Sequence, residues 1–193
     1  MKPQSVLEIF EKTGALLSGH FLLTSGLHSR QYFQCARVLQ FPDYAEQLCS
    51  QIASHFSQHN ISAVAAPAVG GIIVAHETAR HLEARAIFTE REGSQMALRR
   101  GFEVKSGERV LVVEDVVTTG GSVGEVIALI KSLRGVPIAV GSLVDRSGGM
   151  INIGVELFSL IQLNIETMSP TDCELCKQGV PVVKPGSRKL ANG

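Results

Sequence analysis

The chain has 193 residues, is 45% hydrophobic and carries 18 basic against 18 acidic side chains, a formal net charge of +0. This length buries one sizeable core with room for a small appendage, and balanced charge with no basic block at either end argues against nucleic acid as a partner. The opening stretch MKPQSVLEIFEKTG has acids and a glycine where a secretion signal needs an unbroken apolar core, and no apolar run reaches membrane-spanning length, so a cytoplasmic protein is expected.

In chain order, Val6, Leu7, Ile9 and Phe10 fall at helical spacing after Pro3, which predicts a short helix over 6–13. Residues 20–41 mix short apolar runs with Gly26, His28, Ser29 and Arg30. They read as two extended pieces joined by a turn, a small lobe outside the main sheet. From Pro42 onward strand and helix patterns alternate, the cue for an α/β fold with a central, mainly parallel sheet flanked by helices. Tyr44, Leu48, Ile52 and Phe56 recur every fourth residue in a helix over 42–56. Strands are predicted at 61–66, 84–89, 109–113 and 137–144, helices at 70–82 and 123–133, and 155–163 closes the regular part. The chain then divides into a lobe (1–41), a core (42–168) and a tail (169–193) that packs on the lobe, all within one domain. Of the cysteines Cys35, Cys49, Cys173 and Cys176, only the last pair has metal-type spacing. One C-x-x-C supplies half of a tetrahedral zinc site and no nearby His completes it, so packing is the expected role unless a second copy supplies the rest.

The stretch RVLVVEDVVTTGGSV, from Arg109 to Val123, concentrates the chemistry. Val110 to Val113 are apolar without alternation, as in a parallel strand covered on both faces. Glu114 and Asp115 follow at its carboxyl end, where open α/β sheets bind ligands. Thr118, Thr119, Gly120, Gly121 and Ser122 then bring hydroxyls and backbone N–H groups to the start of a helix, whose dipole favours a phosphate. The turn has no Lys after its last Gly and no G-x-G-x-x-G, so it is neither a P-loop nor a dinucleotide fingerprint. Acids beside a phosphate cradle repel a bare anion. They fit sugar hydroxyls near a divalent cation, and the ligand implied is a ribose 5-phosphate.

Three further loops fall at strand carboxyl ends. Ala66-Pro67-Ala68-Val69-Gly70-Gly71 has glycines that allow close backbone approach to an anion. Residues 89–107 form a long polar insertion with Arg91, Arg99 and Arg100, in which Gly93 and Gly101 flank a β-hairpin over 95–99. Asp145-Arg146-Ser147-Gly148-Gly149 offers a guanidinium fork that matches a carboxylate, unless Arg146 is paired with Asp145 or another acid at the surface.

EDVVTTGGS resembles the signature of the type I phosphoribosyltransferases, which bind phosphoribosyl pyrophosphate (PRPP). Together with LLTSGLHSRQYF, the PAVGG loop, VDRSGG and the CELCKQGVPVVKPGSR tail, it makes nearly the whole chain similar to the orotate phosphoribosyltransferases of pyrimidine (UMP) biosynthesis. The resemblance implies the type I phosphoribosyltransferase fold with an N-terminal hood, and transfer of phosphoribosyl from PRPP to orotate with Mg²⁺ held mainly by PRPP and water. It implies that Glu114 and Asp115 hold the ribose hydroxyls and offset charge on the ribose. Val116 and Val117 with Thr118 to Ser122 contact PRPP, Thr118 and Arg146 contact orotate, and Ala68, Val69 and Gly70 form the pyrophosphate loop. The insertion becomes a lid whose Arg91 acts catalytically on PRPP in a neighbour's site, which makes the protein a homodimer with shared active sites. Where many relatives have Lys this chain has Thr24 and Gly70, and its lid has Glu90, Arg91 and Glu92 with no Lys or His before Lys105. Arg99 or Arg100 then stands in for a second lid cation. The alternatives are a purine phosphoribosyltransferase, against which DRSGG and the hood segment count, and a PRPP-sensing regulator that binds nucleic acid, against which the absent basic patch and the long lid count.

Overall fold

Two layers of helices cover a parallel sheet because its strands are apolar on both faces. In the computed structural model, which describes residues 3–23, 25–163 and 166–185, the strand β6 (Arg109–Val117) shows this most clearly. Leu111 and Val113 join one apolar cluster, Val110 and Val112 the other, and all four are fully buried. The unbroken apolar run is therefore ordinary strand alternation between two cores.

The elements preceding β6 are α1 (Pro3–Lys12), β1 (Leu16–Leu22), β2 (His28–Phe33), α2 (Ala36–Leu39), α3 (Pro42–Phe56), β3 (Ala63–Pro67), α4 (Gly71–Leu82), β4 (Arg85–Glu92) and β5 (Gln95–Leu98). Following it are α5 (Gly121–Ser132), β7 (Val136–Asp145), β8 (Glu156–Gln162), β9 (Thr167–Met168) and α6 (Glu174–Lys177). The main sheet runs β5-β4-β3-β6-β7-β8, parallel throughout except for the β4–β5 hairpin. Helices α1, α3 and α4 supply the core on one face and α5 the core on the other. Pro42 starts α3, where its missing N–H costs nothing, and Leu48, Ile52 and Phe56 point inward with no exposure. Gly141 of β7 lets α3 sit close, since a Cβ there would come 2.5 Å from Ile52 Cγ2.

The hood is a separate antiparallel sheet, β1-β2-β9. The tail holds to it through paired bonds in which Val183 N donates to His20 O (2.8 Å) and Leu22 N donates to Val183 O (2.9 Å).

The structure moves several expected boundaries. Strand β6 continues to Val117, so Glu114 and Asp115 lie inside its last stretch, held by pairing of Glu114 with Ser142 and Val117 with Asp145 on β7. Strand β4 likewise runs past Thr89 to Glu92, because β5 folds back on it. In both, the ladder persists after the apolar pattern ends, because backbone pairing does not depend on side chains being apolar. Helix α1 belongs to the main core through Val6, Ile9 and Phe10 rather than to the lobe, and β9 belongs to the hood although it lies before residue 169. The cysteine pair, expected to lack a nearby His, has two: His20 and His28 reach it from the hood strands. Thr24 lies outside the described residues.

Candidate functional site

Between the hood and the carboxyl ends of the sheet opens a cleft of about 670 Å³, within the ordinary size range of small-molecule sites. Its floor is the stretch from Glu114 to Val123. The hood contributes Leu23, Ser25, Tyr32 and Cys35, the lid contributes Arg91, and the loop after β7 contributes Arg146.

The two acids have different surroundings. Glu114 is 9% exposed, and its Oε1 accepts a bond from Asp115 N at 3.2 Å. Asp115 is half-buried, and its Oδ1 accepts from Val116 N at 2.8 Å. Burial pushes the Asp115 carboxyl above its ordinary range, while the Glu114 side chain and the Val116 amide pull it back. The two glycines of the PAVGG loop stand against these acids. A Cβ on Gly70 would come 2.6 Å from Asp115 Oδ2, and one on Gly71 would come 3.3 Å from Glu114 Oε1. Ala68, Val69 and Gly70 do not line the cavity; the Ala68–Val69 peptide is cis and Val69 is 81% exposed.

Beyond the acids, Thr118 and Thr119 are exposed to the cleft and Gly120 takes a left-handed φ of 76°, which turns the chain into α5. Gly120 gives that helix no side-chain cap, so its first amides are left for a ligand. Thr118 to Ser122 thus form an anion cradle next to two carboxylates.

Arg146 is half-buried with its Nε enclosed and unbonded, and among the described residues no carboxylate forms an ion pair with it. The expected competitor, Asp145, is engaged elsewhere: its Oδ1 accepts from Ser147 N at 2.7 Å and its Oδ2 from Gln162 Nε2 at 3.4 Å. Burial lowers the Arg146 pKa, while the nearby Tyr32 and Cys35 act the other way. A buried, unbonded guanidinium donor at a cleft wall calls for an anionic ligand.

On the lid, Arg91 Nη2 bonds Glu125 Oε1 at 2.8 Å and Nη1 donates to Ser94 O at 2.9 Å, which places it at the rim of its own chain's cleft. Arg99 and Arg100 do not line the cavity, and the Arg100 fork engages both oxygens of Glu90 at 2.8 Å.

Tyr32, Cys35, Leu23 and Ser25 complete the cleft, and no local pattern singled them out as site residues; Tyr32 was visible only inside the LLTSGLHSRQYF segment. Burial and the neighbouring Asp115 raise the Tyr32 pKa. The Cys35 thiol is pushed well up by burial and by the two acids, so it is no thiolate nucleophile. The lining carries three carboxylates (Glu114, Asp115, Glu125) against two guanidiniums (Arg91, Arg146), so a polyphosphate ligand needs cations of its own.

A family model described as phosphoribosyl transferase domain matches residues 38–169. The chain is 56% identical to an orotate phosphoribosyltransferase of a Thermoanaerobacter species and 54% identical to that of Desulforamulus reducens, each over 98% of this chain and 100% of the relative. The crystal structure of orotate phosphoribosyltransferase from Aeropyrum pernix superimposes with a TM-score of 0.70 at 29% identity, covering 90% of this chain and 98% of that one.

Proposed function

Because the chain belongs to the orotate phosphoribosyltransferase family, we propose that its cleft joins orotate to the phosphoribosyl group of PRPP, giving orotidine 5′-monophosphate and pyrophosphate for pyrimidine (UMP) biosynthesis. The observation that carries the reading is one cleft that gathers a pair of carboxylates, an uncapped helix start and, from the neighbouring strand end, the unbonded Nε of Arg146.

The 5′-phosphate of PRPP sits on the amides of Thr118 to Ser122. Glu114 and Asp115 accept bonds from the ribose 2′- and 3′-hydroxyls, and for Asp115 those bonds favour the ionised carboxylate that burial opposes. The C1′–O bond to pyrophosphate breaks and the bond from orotate N1 to C1′ forms, with release of the N1 proton. Positive charge develops on the ribose in between, and the fixed carboxylates offset it once closure of the lid excludes water. Arg146 orients orotate by its carboxylate, with Thr118 beside the ring. Ala68, Val69 and Gly70 present backbone to the leaving pyrophosphate.

The donor set fits Mg²⁺. Glu114 and Asp115 are taken up by the ribose hydroxyls, and the excess of carboxylates over guanidiniums in the lining leaves a place for a cation that PRPP brings with it. When bound, Mg²⁺ neutralises charge on the pyrophosphate leaving group.

The protein works as a homodimer with shared sites. Val69 and Ile73, 81% and 43% exposed beside the cleft, give a second copy apolar surface to cover. The Arg91–Glu125 pair is exposed on both sides, each side chain at 41%, and such pairs contribute only about 0–1 kcal/mol, so the lid exchanges it readily for a neighbour's PRPP. Among the described residues no helix is long and apolar enough to cross a membrane.

The test is a product assay. The purified chain with PRPP and Mg²⁺ is offered orotate, uracil, adenine or hypoxanthine, and orotidine 5′-monophosphate is expected as the main nucleotide. Preferential formation of a purine nucleotide overturns the reading.

A further inference from the structure

Four side chains outside the cleft converge in the hood, and we propose that they hold a structural zinc ion. His20 lies on β1, His28 on β2, Cys173 immediately before α6 and Cys176 within it, yet their ligand atoms all fall within 4.8 Å of one another. His20 Nε2 stands 2.8 Å from His28 Nδ1, 3.4 Å from Cys173 Sγ and 3.7 Å from Cys176 Sγ, and Cys176 Sγ is 3.3 Å from His28 Nδ1. Zinc binds nitrogen at about 2.0–2.1 Å and sulfur at about 2.3 Å, which puts ligand atoms roughly 3.3–3.8 Å apart at the corners of a tetrahedron. The observed spacings need only small side-chain adjustments to meet that figure.

The proton inventory points the same way. His20 Nδ1 lies 2.8 Å from Val180 O, and a carbonyl only accepts, so in the neutral ring Nδ1 carries the hydrogen and Nε2 turns its lone pair toward His28 Nδ1, which donates to it without metal, and toward the two sulfurs. Metal-bound histidines are held in this manner, their second N–H fixed by a carbonyl or carboxylate. His20, His28 and Cys173 are 3%, 5% and 0% exposed, while Cys176 is exposed and gives an ion its entry. Two thiolates balance a divalent ion in this enclosed place, and two sulfurs with two imidazoles select zinc over the oxygen-seeking cations.

The ion ties together segments that no local sequence rule connects. The turn between β1 and β2, bounded by the two histidine ligands, carries the cleft-lining Leu23 and Ser25. In a small sheet with little core of its own, the ion fixes that turn and the tail in one step.

The test uses the full chain, reduced, stripped of metal and free of any affinity tag. Titration with Co²⁺ alone is expected to give one ion per chain with the intense visible bands and sulfur charge-transfer absorption of a tetrahedral site. Zn²⁺ then displaces it and raises Tm. Cys176→Ser changes the exposed ligand and disturbs packing least. It is expected to weaken zinc by more than about 100-fold, since altering even a ligand's neighbour costs about 10–100-fold. The proposal is overturned by a wild-type chain that takes up no stoichiometric metal, by the weak bands of octahedral cobalt, by a Cys173–Cys176 disulfide formed in place of binding, or by full affinity in the variant.

Discussion

Asp115 carries opposed demands, and they make a prediction about stability as well as rate. Burial raises its carboxyl pKa, so near this group the folded chain binds a proton more readily than the unfolded one. Stability contributed here therefore falls as pH rises through the window that opens at the ordinary value of 3.8, and the ionised form is a cost to the fold at neutral pH. Asp115→Asn removes that cost together with the charge that faces the developing cation. The variant is expected to have a higher Tm at pH 7, a gain that vanishes near pH 3, and a kcat lower by at least about tenfold. Calorimetry across pH and steady-state rates on one preparation check it; an unchanged kcat refutes the assigned role. Glu114, Asp115 and Arg146 were legible in the sequence because each comes where a strand's apolar run gives out, so position puts them toward the carboxyl ends of the sheet. Tyr32, Cys35 and the histidines of the metal cluster were not, because the hood reaches both places through tertiary packing that leaves no periodic trace.

Among the elements, helix α3 and strands β3, β6 and β7 were readable because one side-chain period governs each: every fourth residue in the helix, saturation in the buried strands. Their ends were less readable. The ladders of β4 and β6 extend into polar sequence, where cross-strand partners rather than burial decide the structure. Gly141 shows how closely the layers meet. Its missing Cβ would stand 2.5 Å from Ile52 Cγ2 and 3.5 Å from Phe56 Cε2, both in the α3 face that packs on β7. Gly141→Ala is expected to destabilise the fold by about 1–3 kcal/mol, the usual cost of overpacking, with the substrate KM values little changed. Urea unfolding measures it, and a variant as stable as the parent would show that α3 is not closely seated.

At the scale of the whole molecule, the insertion that carries Arg91 was legible by its length and polarity and folds as the β4–β5 hairpin, whereas its contacts were not, since exposed ion pairs follow no sequence pattern. Whether the lid serves its own cleft or a neighbour's is answered by mixing two inactive homodimers, Asp115→Ala and Arg91→Ala. With shared sites, one cleft of each mixed dimer regains every part, and orotidine monophosphate formation is expected to recover well above both parents. Mixed dimers that stay at parental activity place Arg91 in its own chain's cleft. The central claim, that core and loop together read a carboxylated pyrimidine, is tested most directly by comparing orotate with uracil, which lacks the carboxylate, in the wild-type chain and in Arg146→Ala. Losing one partner of a buried charged pair costs about 2–5 kcal/mol, so kcat/KM for orotate is expected to fall at least about 30-fold while the KM for PRPP moves little. The preference for orotate over uracil should collapse with it; a preference that survives the loss of Arg146 intact contradicts the account.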